Sequence, residues 1–525
     1  RPLTLSFPRH AYILCTENID PDSTVGWDHA PTTDKDGTMQ RSLCLLIAVA
    51  AISMPDRGHA QDGKQFVSDF IDSNQVSYAE TALEIWNLAE VGYQEFVSTG
   101  LLQDHLQEAG FKIETGVAGI PTAFIASYGS GRPVIGILAE FDALPGINQA
   151  AAPDRERIEG KQAGHACGHH LFGMGSAAAA IAVKTWMGEA GLGGTVRVYG
   201  TPAEEGGSGK VYMVREGLFD DTDVVITWHA GDRNDASPDT NLAIKSAKFR
   251  FQGVSAHAAA APDKARSALD GVEAMNMMAN MLREHVPQET RIHYVITSGG
   301  SAPNVVPDFA EVYYYVRHPS PEVVANVFDR MIAAATGAAL GTGTTVQHEI
   351  VGGSFNRLPN IALSKVMDAN LRNVGGIHYT PFEQAFATGI QATLGDAARP
   401  LGSVEEIEPF EMHQSYASSD NGDVSWVTPM AHLRTATWVP GTSGHSWQAV
   451  AAGGMSIGTK GMIVAAKTLA RTALDILSDP SIVTDARAEF EDRRGENFSY
   501  MPLLGDRDPP LDYRAAGGVG GAGGE

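Results

Sequence analysis

An alternation of strand-like and helix-like segments most restricts what this chain can fold into. Bounded runs rich in β-branched and aromatic residues lie at Thr122–Tyr128, Val134–Ala139, Thr195–Tyr199 and Val224–Trp228, and an alanine-rich helical pattern covers Gly173–Ala190. Strands that alternate with helices favour an α/β fold in which helices cover a sheet. We therefore predict a layered catalytic domain with a mixed sheet.

A different order of elements interrupts this alternation. The pattern becomes β-α-β-β-α-β, with segments at Lys245–Gln252, Ser267–Val286, Arg291–Thr297, Phe309–Arg317, Pro321–Leu340 and Thr344–Val351. This is the order of a split βαβ, ferredoxin-like sandwich. Helices then resume, with a strand near His432–Val439 and a helix over Gly461–Leu477. The small α+β domain is therefore predicted to be an insertion into the larger one.

The chain divides into six segments on this basis. We predict a spurious or disordered upstream extension at 1–38, a secretory signal at 39–60, a catalytic domain formed by 62–243 and 355–480, an inserted domain at 244–354, and a C-terminal tail at 481–525 with a disordered, glycine-rich end. The signal rests on Arg41, the short apolar run Leu43–Ile52 and small residues up to Ala60. A buried core helix is the alternative. We expect export to the periplasm, or a cytoplasmic protein if the signal is not used.

Charge and cysteine content exclude several classes of function. The chain has 525 residues and a formal net charge of −24, which disfavours binding to nucleic acid or to anionic membranes because both require basic patches. Of the three cysteines, Cys15 precedes the predicted signal and Cys44 lies within it. A processed protein would keep Cys167 alone, so an internal disulfide is not expected.

The strongest local motif surrounds that cysteine. Gly164–His170 reads G-H-A-C-G-H-H and precedes the alanine-rich helix. Three imidazoles and a thiol within six positions are the donors that a divalent cation prefers. A structural or redox role is the alternative, and the absence of a second cysteine weakens the redox interpretation.

Further candidate ligands follow other predicted strands. Glu204 and Glu205 come just after Thr195–Tyr199, His229 follows Val224–Trp228, and His445 follows the strand near Val439. Each taken singly is more typical of a solvated loop or a hydrogen-bonded structural residue. Ligands in α/β sheets bind at the carboxyl ends of strands. The combined donors suit two metal ions and are Cys167, His169, Glu205, His229 and His445.

The order of these motifs resembles a known family. The motifs that carry the resemblance run here from Ala139 to Gln448. In order they are A-E-F-D-A-L-P, H-A-C-G-H, P-A-E-E-G-G-S-G-K, T-W-H, A-H-A, P-N-V-V-P, G-D-V-S-W-V-T-P and H-S-W-Q. The chain is thereby identified as similar to the aminoacylase/carboxypeptidase metallopeptidases, in their amidohydrolase branch. The similarity covers roughly residues 66–476.

The resemblance implies a role for each matching residue. It implies that Cys167, His169, Glu205, His229 and His445 bind two divalent metals, with zinc or manganese favoured and cobalt acceptable. It further implies that Glu204 is the general base and that Asp142 orients a metal ligand. Glu140 stands where other branches place a ligating histidine, and His170 replaces an acidic or amide residue, so neither is assigned a role.

The inserted domain resembles the family's dimerisation lid. By this resemblance His257 reaches the active site of the partner subunit and stabilises the oxyanion, while Asn304 and Arg317 hold the free carboxylate of the substrate. From chemistry alone, a surface ion pair is an equal alternative for Arg317.

The expected function is metal-dependent hydrolysis of an amide bond. The expected substrate is an N-acyl or N-aroyl amino acid resembling p-aminobenzoyl-glutamate, or a dipeptide, and a free amino acid is released. Two alternatives remain: a non-catalytic protein that binds such conjugates, and a subunit that requires a related partner. We expect a homodimer or a complex with such a second subunit.

Overall fold

The structure is a computed structural model that describes residues 57–514, with side chains from residue 62. The predicted extension 1–38, both Cys15 and Cys44, and the glycine-rich end 515–525 lie outside the described residues. The predicted signal segment 39–60 also lies outside them, apart from its last four residues, which begin the first helix at Arg57.

A six-stranded mixed sheet forms the centre of the larger domain. In spatial order its strands are Lys112–Thr115, Phe124–Ser130, Gly194–Gly200, Val134–Ala139, Val224–Gly231 and Met430–Ala436. The first two strands pair antiparallel and the last four run parallel to one another. The carboxyl ends of those four strands therefore meet at one edge of the sheet.

Helices cover this sheet and bury its apolar strands. They are Arg57–Leu88, Phe96–Glu108, His169–Ala190, Gly209–Arg215, Ile361–Val374, Pro381–Gln391, Asn421–Ser425, Trp447–Gly453, Ser456–Ser478 and Pro480–Arg494. Short strands Leu144–Pro145 and Ala163–Gly164 pair with each other, as do Asp239–Thr240 and His413–Gln414. Short 3₁₀ turns lie at Val117–Gly119, Pro262–Lys264, Arg283–His285, Gly395–Ala397 and Leu401–Glu405.

The smaller domain is a four-stranded antiparallel sheet with two helices on one face. Its strands in spatial order are Arg291–Ser298, Phe309–His318, Ala243–Gln252 and Thr345–Ser354, and its helices are Ala268–Leu282 and Pro321–Thr342. Helix Pro321–Thr342 is long and apolar enough to cross a membrane, yet it packs against the sheet and buries Phe328 and Met331.

The predicted fold class is confirmed. The structure contains a layered α/β domain with a mixed sheet and a β-α-β-β-α-β sandwich with the ferredoxin-like strand arrangement. The helix expected from Gly173 begins four residues earlier, at His169, because Gly168 precedes it in a left-handed conformation with φ of 77°. His169 and His170 therefore lie in the first helical turn.

Candidate metal centre

The carboxyl edge of the parallel strands gathers the predicted ligands. Glu205 follows strand Gly194–Gly200, His229 lies near the end of Val224–Gly231, and His445 follows Met430–Ala436. Cys167 and His169 come from the turn that opens helix His169–Ala190, which packs on the same strands. Five donors spread over 279 positions of the sequence, from 167 to 445, are thus held beside one another.

Two groups of donor atoms share the thiolate position. Cys167, His169 and His229 form one group, and Cys167, Glu205 and His445 form the other; within each, the ligand atoms lie within 4.8 Å of one another. The Cys167 Sγ is 3.4 Å from His229 Nε2, and His445 Nε2 is 3.2 Å from Glu205 Oε1. Each group could hold a cation, and Cys167 belongs to both groups.

Electrostatics at the centre favour the thiolate. Burial alone would raise the pKa of Cys167, but His229 and His169 beside it hold that pKa well below its usual value. Contacts with Cys167 and Glu205 raise the pKa of His445 to about 11. Burial and the neighbouring Cys167 raise the pKa of Glu205 to about 7.

Asp142 lies directly behind the centre. Its Oδ1 is 2.9 Å from His169 Nδ1, and its Oδ2 accepts a 2.9 Å hydrogen bond from the backbone N–H of Glu205. A carboxylate on Nδ1 fixes the tautomer of a histidine so that Nε2 is free to bind metal. One buried carboxylate therefore orients a candidate ligand from each group.

Glu204 points into a third cluster of donors, with Glu140 and His169. Burial raises the pKa of Glu204 well above its usual value, and the nearby carboxylates Glu140 and Glu205 raise it further. A carboxylate whose pKa is raised in this way can accept a proton from water and return it near neutral pH.

The residues predicted from the inserted domain lie elsewhere in this chain. His257 is exposed, and its Nδ1 accepts hydrogen bonds of 3.2 Å from the N–H groups of Ala259 and Ala260. Asn304 lies in the neighbouring loop, where its carbonyl accepts from Ala258 N at 3.0 Å. Arg317 lies in strand Phe309–His318. Among the described residues, His257 belongs to no group of candidate metal donors.

Comparison with known proteins identifies the family. Residues 241–342 match a family model described as a peptidase dimerisation domain of the M20 type. The chain is 40% identical over 470 residues to one of the subunits of p-aminobenzoyl-glutamate hydrolase from Escherichia coli, a match that spans 84% of this chain and 98% of that protein. The chain belongs to the M20 peptidase family. The resemblance seen in the motifs is thereby confirmed.

More distant M20 relatives agree with this assignment. The Xaa-Arg dipeptidase of Mus musculus is 28% identical over 82% of this chain and 92% of that protein. A dinuclear metal-binding peptidase of the M20 family from Bacillus subtilis has the same fold, with a TM-score of 0.52 at 18% identity, covering 77% of this chain and 99% of that one.

Sequence reasoning missed a buried cation at the base of this M20 site. Lys210 is fully buried, and its Nζ lies 2.7 Å from Asp420 Oδ1 and 2.7 Å from Glu140 Oε1. The other oxygen of Glu140 is 2.9 Å from His169 Nε2. Burial would raise the pKa of Glu140, but Lys210 and His169 lower it far below its usual value. Lys210 ends the motif P-A-E-E-G-G-S-G-K, and its place in that motif was the sequence feature that could have predicted a buried cation here.

His170 turns away from the metal centre. Its Nε2 is 3.0 Å from the carbonyl of Gly453, and its ring centroid is 4.8 Å from that of His165. Burial lowers the pKa of His170 to about 3. The residue therefore packs as a neutral core histidine.

Proposed function

We propose that this chain is a metal-dependent amidohydrolase that releases an amino acid from an N-acyl or N-aroyl amino acid, a p-aminobenzoyl-glutamate-like conjugate or a dipeptide. The observation that carries the proposal is the pair of donor groups that share Cys167, with Glu204 beside them. The relationship to the p-aminobenzoyl-glutamate hydrolase of Escherichia coli supports the substrate class.

The donors fit two divalent cations. His169 Nε2 and Glu205 Oε1 are buried and make no hydrogen bond with described residues, although each lies within ion-pair distance of a neighbour. Buried polar atoms without a hydrogen bond are costly unless another partner occupies them. Thiolate, imidazole and carboxylate together suit zinc or manganese, and cobalt is acceptable. Cys167, His169 and His229 would hold one ion, and Cys167, Glu205 and His445 the other.

The residues around the centre supply the proton transfers. Bound divalent cations polarise a carbonyl and lower the pKa of water. Glu204 accepts the proton of the attacking water and then delivers it to the departing amide nitrogen. Asp142 keeps His169 in the ligating tautomer throughout.

The small domain supports substrate binding and dimerisation in this proposal. His257 would stabilise the oxyanion of the partner subunit's substrate, and Asn304 and Arg317 would hold the substrate carboxylate. The edge strand Arg291–Ser298 exposes 56% of Val295 and 40% of Ile296. Met277 and Met281, on the helix above the next strand, are 62% and 59% exposed. An unpaired edge and an apolar patch of this kind favour pairing with a second chain.

A partner-dependent subunit is the second candidate function. It rests on the name of the Escherichia coli relative, which makes that protein one subunit of a hydrolase. The purified chain should be sized and assayed alone. Turnover by the isolated chain would exclude dependence on a different subunit, whereas activity that needs a second polypeptide would favour it.

We also propose that the protein is exported to the periplasm, on the basis of segment 39–60. N-terminal sequencing of the natural protein tests this. A mature chain that begins near residue 60 supports export, and one that retains the apolar run 43–52 contradicts it.

The base assignment is tested by Glu204→Gln. The amide cannot accept the proton, so we expect kcat to fall by about 10²–10⁴-fold, while two equivalents of zinc or manganese stay bound as measured by atomic absorption. Glu159→Gln, an exposed glutamate of the 153–160 loop, is the matched control and should keep wild-type rates. A Glu204→Gln enzyme with wild-type kcat would show that another group is the base.

A further inference from the structure

The loop that carries Glu204 and Glu205 has a strained backbone. It covers residues 201–208 and follows strand Gly194–Gly200. Ala203, the residue before the proposed base, is fully buried and has a positive φ of 56°. A residue with a Cβ is strained in this left-handed region, and such strain persists only where the surroundings fix the backbone. The contacts that hold Ala203 therefore affect the direction of Glu204.

Glu95 makes such a contact from outside the loop. Its side chain is fully buried, and its Oε1 accepts a 2.9 Å hydrogen bond from the N–H of Ala203. Its Oε2 accepts another of 3.0 Å from Thr122 Oγ1. Burial and the nearby Asp142 raise the pKa of Glu95 to about 8. Because a protonated carboxyl group keeps an acceptor oxygen, the contact with Ala203 is available in either protonation state.

Tyr93 holds the other end of the same turn. Its buried hydroxyl donates a 2.8 Å hydrogen bond to the carbonyl of Gly207, and the N–H of Gly207 donates to the carbonyl of Ala203 at 3.0 Å. Both ends of the turn that contains the base are thus attached to residues 93–95. The family motifs begin at Ala139, so they assign no role to this segment.

The metal ligand Glu205 has contacts of its own. Asp142 accepts the hydrogen bond of its N–H, and Tyr513 and Arg514 donate to its carbonyl. These contacts do not involve Glu95. A change at Glu95 should therefore displace the base while the metal ligand stays in place.

We propose that Glu95 is a positioning residue for the general base: through Ala203 it fixes the backbone that directs Glu204 toward the metal centre. The inference rests on the proposed function, in which Glu204 transfers the proton. Displacing a reacting group by about 1 Å can lower a rate by about 100-fold. The kcat should therefore depend on a buried carboxyl group that acts only through the backbone.

Two substitutions of similar size test this role. Glu95→Gln keeps an oxygen that can accept the Ala203 hydrogen bond, whereas Glu95→Met fills the space without an acceptor. With N-(4-aminobenzoyl)-glutamate as substrate, we expect Glu95→Met to lower kcat by about 10–100-fold and to leave KM within about twofold, because an interaction of the transition state is lost. Glu95→Gln should stay within about threefold of the wild-type kcat. Both variants should still bind two equivalents of zinc, as measured by atomic absorption.

A second substitution tests whether the effect passes through the backbone of Ala203. Glycine adopts a positive φ without strain. Adding Ala203→Gly to the Glu95→Met chain should therefore restore kcat by at least about fivefold, because the loop keeps its shape without the lost hydrogen bond. Each assay is run well below the Tm of the variant, so that the folded fraction does not affect kcat.

Glu383→Met is the matched control. Glu383 is also buried and also accepts from a backbone N–H, that of Thr380, and from a hydroxyl, that of Ser456. None of its hydrogen bonds is with residues 201–208, so its loss should lower Tm and leave kcat unchanged. A Glu95→Met enzyme with wild-type kcat would overturn the inference. So would a loss that Glu95→Gln shares in full and Ala203→Gly does not reverse.

Amide hydrogen exchange separates this inference from the proposed function. If the wild-type chain does not hydrolyse the conjugate, the proposed function fails, yet the loop can still be followed in the metal-free full chain by mass spectrometry of a peptide that covers 201–208. Exchange in that peptide should be at least about fivefold faster in Glu95→Met than in the wild type, and Glu95→Gln should match the wild type. Equal exchange in all three chains would overturn the inference whatever the activity.

Discussion

Single buried charges determine the electrostatic balance below the candidate centre. Lys210 is the only cation that contacts both Glu140 and Asp420 among the described ion pairs. It keeps Glu140 ionised and holds it in an ion pair. This pairing explains how a carboxylate can occupy the position at which, by the resemblance, other branches of the family have a histidine. A carboxylate in this position is compatible with the site because its charge is already neutralised.

We therefore expect Lys210→Met to be strongly destabilising. The substitution leaves the buried Asp420 without its counter-charge and Glu140 with His169 alone, a change that typically costs about 3–5 kcal/mol in the free energy of unfolding. Urea denaturation measures this quantity. Lys365→Met, on an exposed position of helix Ile361–Val374, is the control and should change the value by less than about 0.5 kcal/mol. Equal effects of the two substitutions would contradict a central role for Lys210.

His170 and His165 predict a loss of stability in acid. Burial lowers the pKa of His170 to about 3, so the unfolded chain, with an ordinary pKa near 6.5, binds the proton more readily. The contribution of such a histidine to the free energy of unfolding is fully present above about pH 6.5. It decreases as the pH drops toward 3, by about 1.4 kcal/mol per pH unit for each such group. His170→Asn should reduce this slope in denaturant melts taken between pH 4 and 7.

The exposed His285 supplies the control for that measurement. His285→Asn should leave the slope of unfolding free energy against pH as it is in the wild type. A slope that His170→Asn does not alter would mean that the histidine is not held neutral in the folded protein.

The limits of prediction at the residue scale have a simple cause. Donor type and strand position were sufficient to select Cys167, His229 and His445 as candidate ligands, and the structure brings their donor atoms together. Glu140 and His170 could not be interpreted, since their roles depend on partners far along the chain: Lys210 for Glu140 and the Gly453 carbonyl, 283 positions away, for His170.

At the scale of elements, apolar runs were predicted well and polar segments were not. The strand expected at Val134–Ala139 has those bounds in the structure, and Val224–Trp228 extends only to Gly231. Both strands are buried, and their continuous apolar sequence is typical of strands covered on both faces. Helix Pro480–Arg494 and the segment after it lack such a pattern, yet Leu503 and Leu504 are buried. The tail is held by tertiary contacts that the local sequence does not encode.

The end of that tail contacts the backbone of a candidate metal ligand. Tyr513 donates a 2.9 Å hydrogen bond to the carbonyl of Glu205, and Arg514 donates another of 3.1 Å to the same oxygen. The ring of Tyr513 also lies edge-on to Tyr93, at 5.6 Å. The C-terminal segment thus helps to fix the backbone of a candidate metal ligand.

Tyr513→Phe should separate this contact from packing. We expect a loss of about 1 kcal/mol in the free energy of unfolding, the net value of one hydrogen bond, together with weaker binding of zinc because Glu205 is less firmly placed. Calorimetric titration of the metal-free protein measures the second effect. Tyr128→Phe is the control, because among the described residues the Tyr128 ring packs against Phe111 and its hydroxyl makes no hydrogen bond; indistinguishable zinc affinities in the two variants would contradict the proposed coupling.

At the scale of the whole molecule, the two domains carry separate parts of the proposed chemistry. The larger domain holds the metal donors and Glu204, whereas His257, Asn304 and Arg317 belong to the smaller one. Within the described part of this chain His257 joins none of the donor groups, and the proposed function places it at the site of the partner subunit. Activity should therefore depend on assembly as well as on each fold.

Val295→Lys tests this dependence on assembly. Val295 is exposed on the edge strand Arg291–Ser298, and a lysine on an open edge opposes pairing with another strand. We expect analytical ultracentrifugation to show a dimer for the wild type and a monomer for the variant, with unchanged unfolding free energy per chain and a kcat lowered by at least about tenfold, because the partner's His257 is lost. Val76→Lys, at a 68% exposed position of the first helix, controls for the added charge and should remain dimeric and active. A fully active Val295→Lys monomer would show that each chain completes its own site.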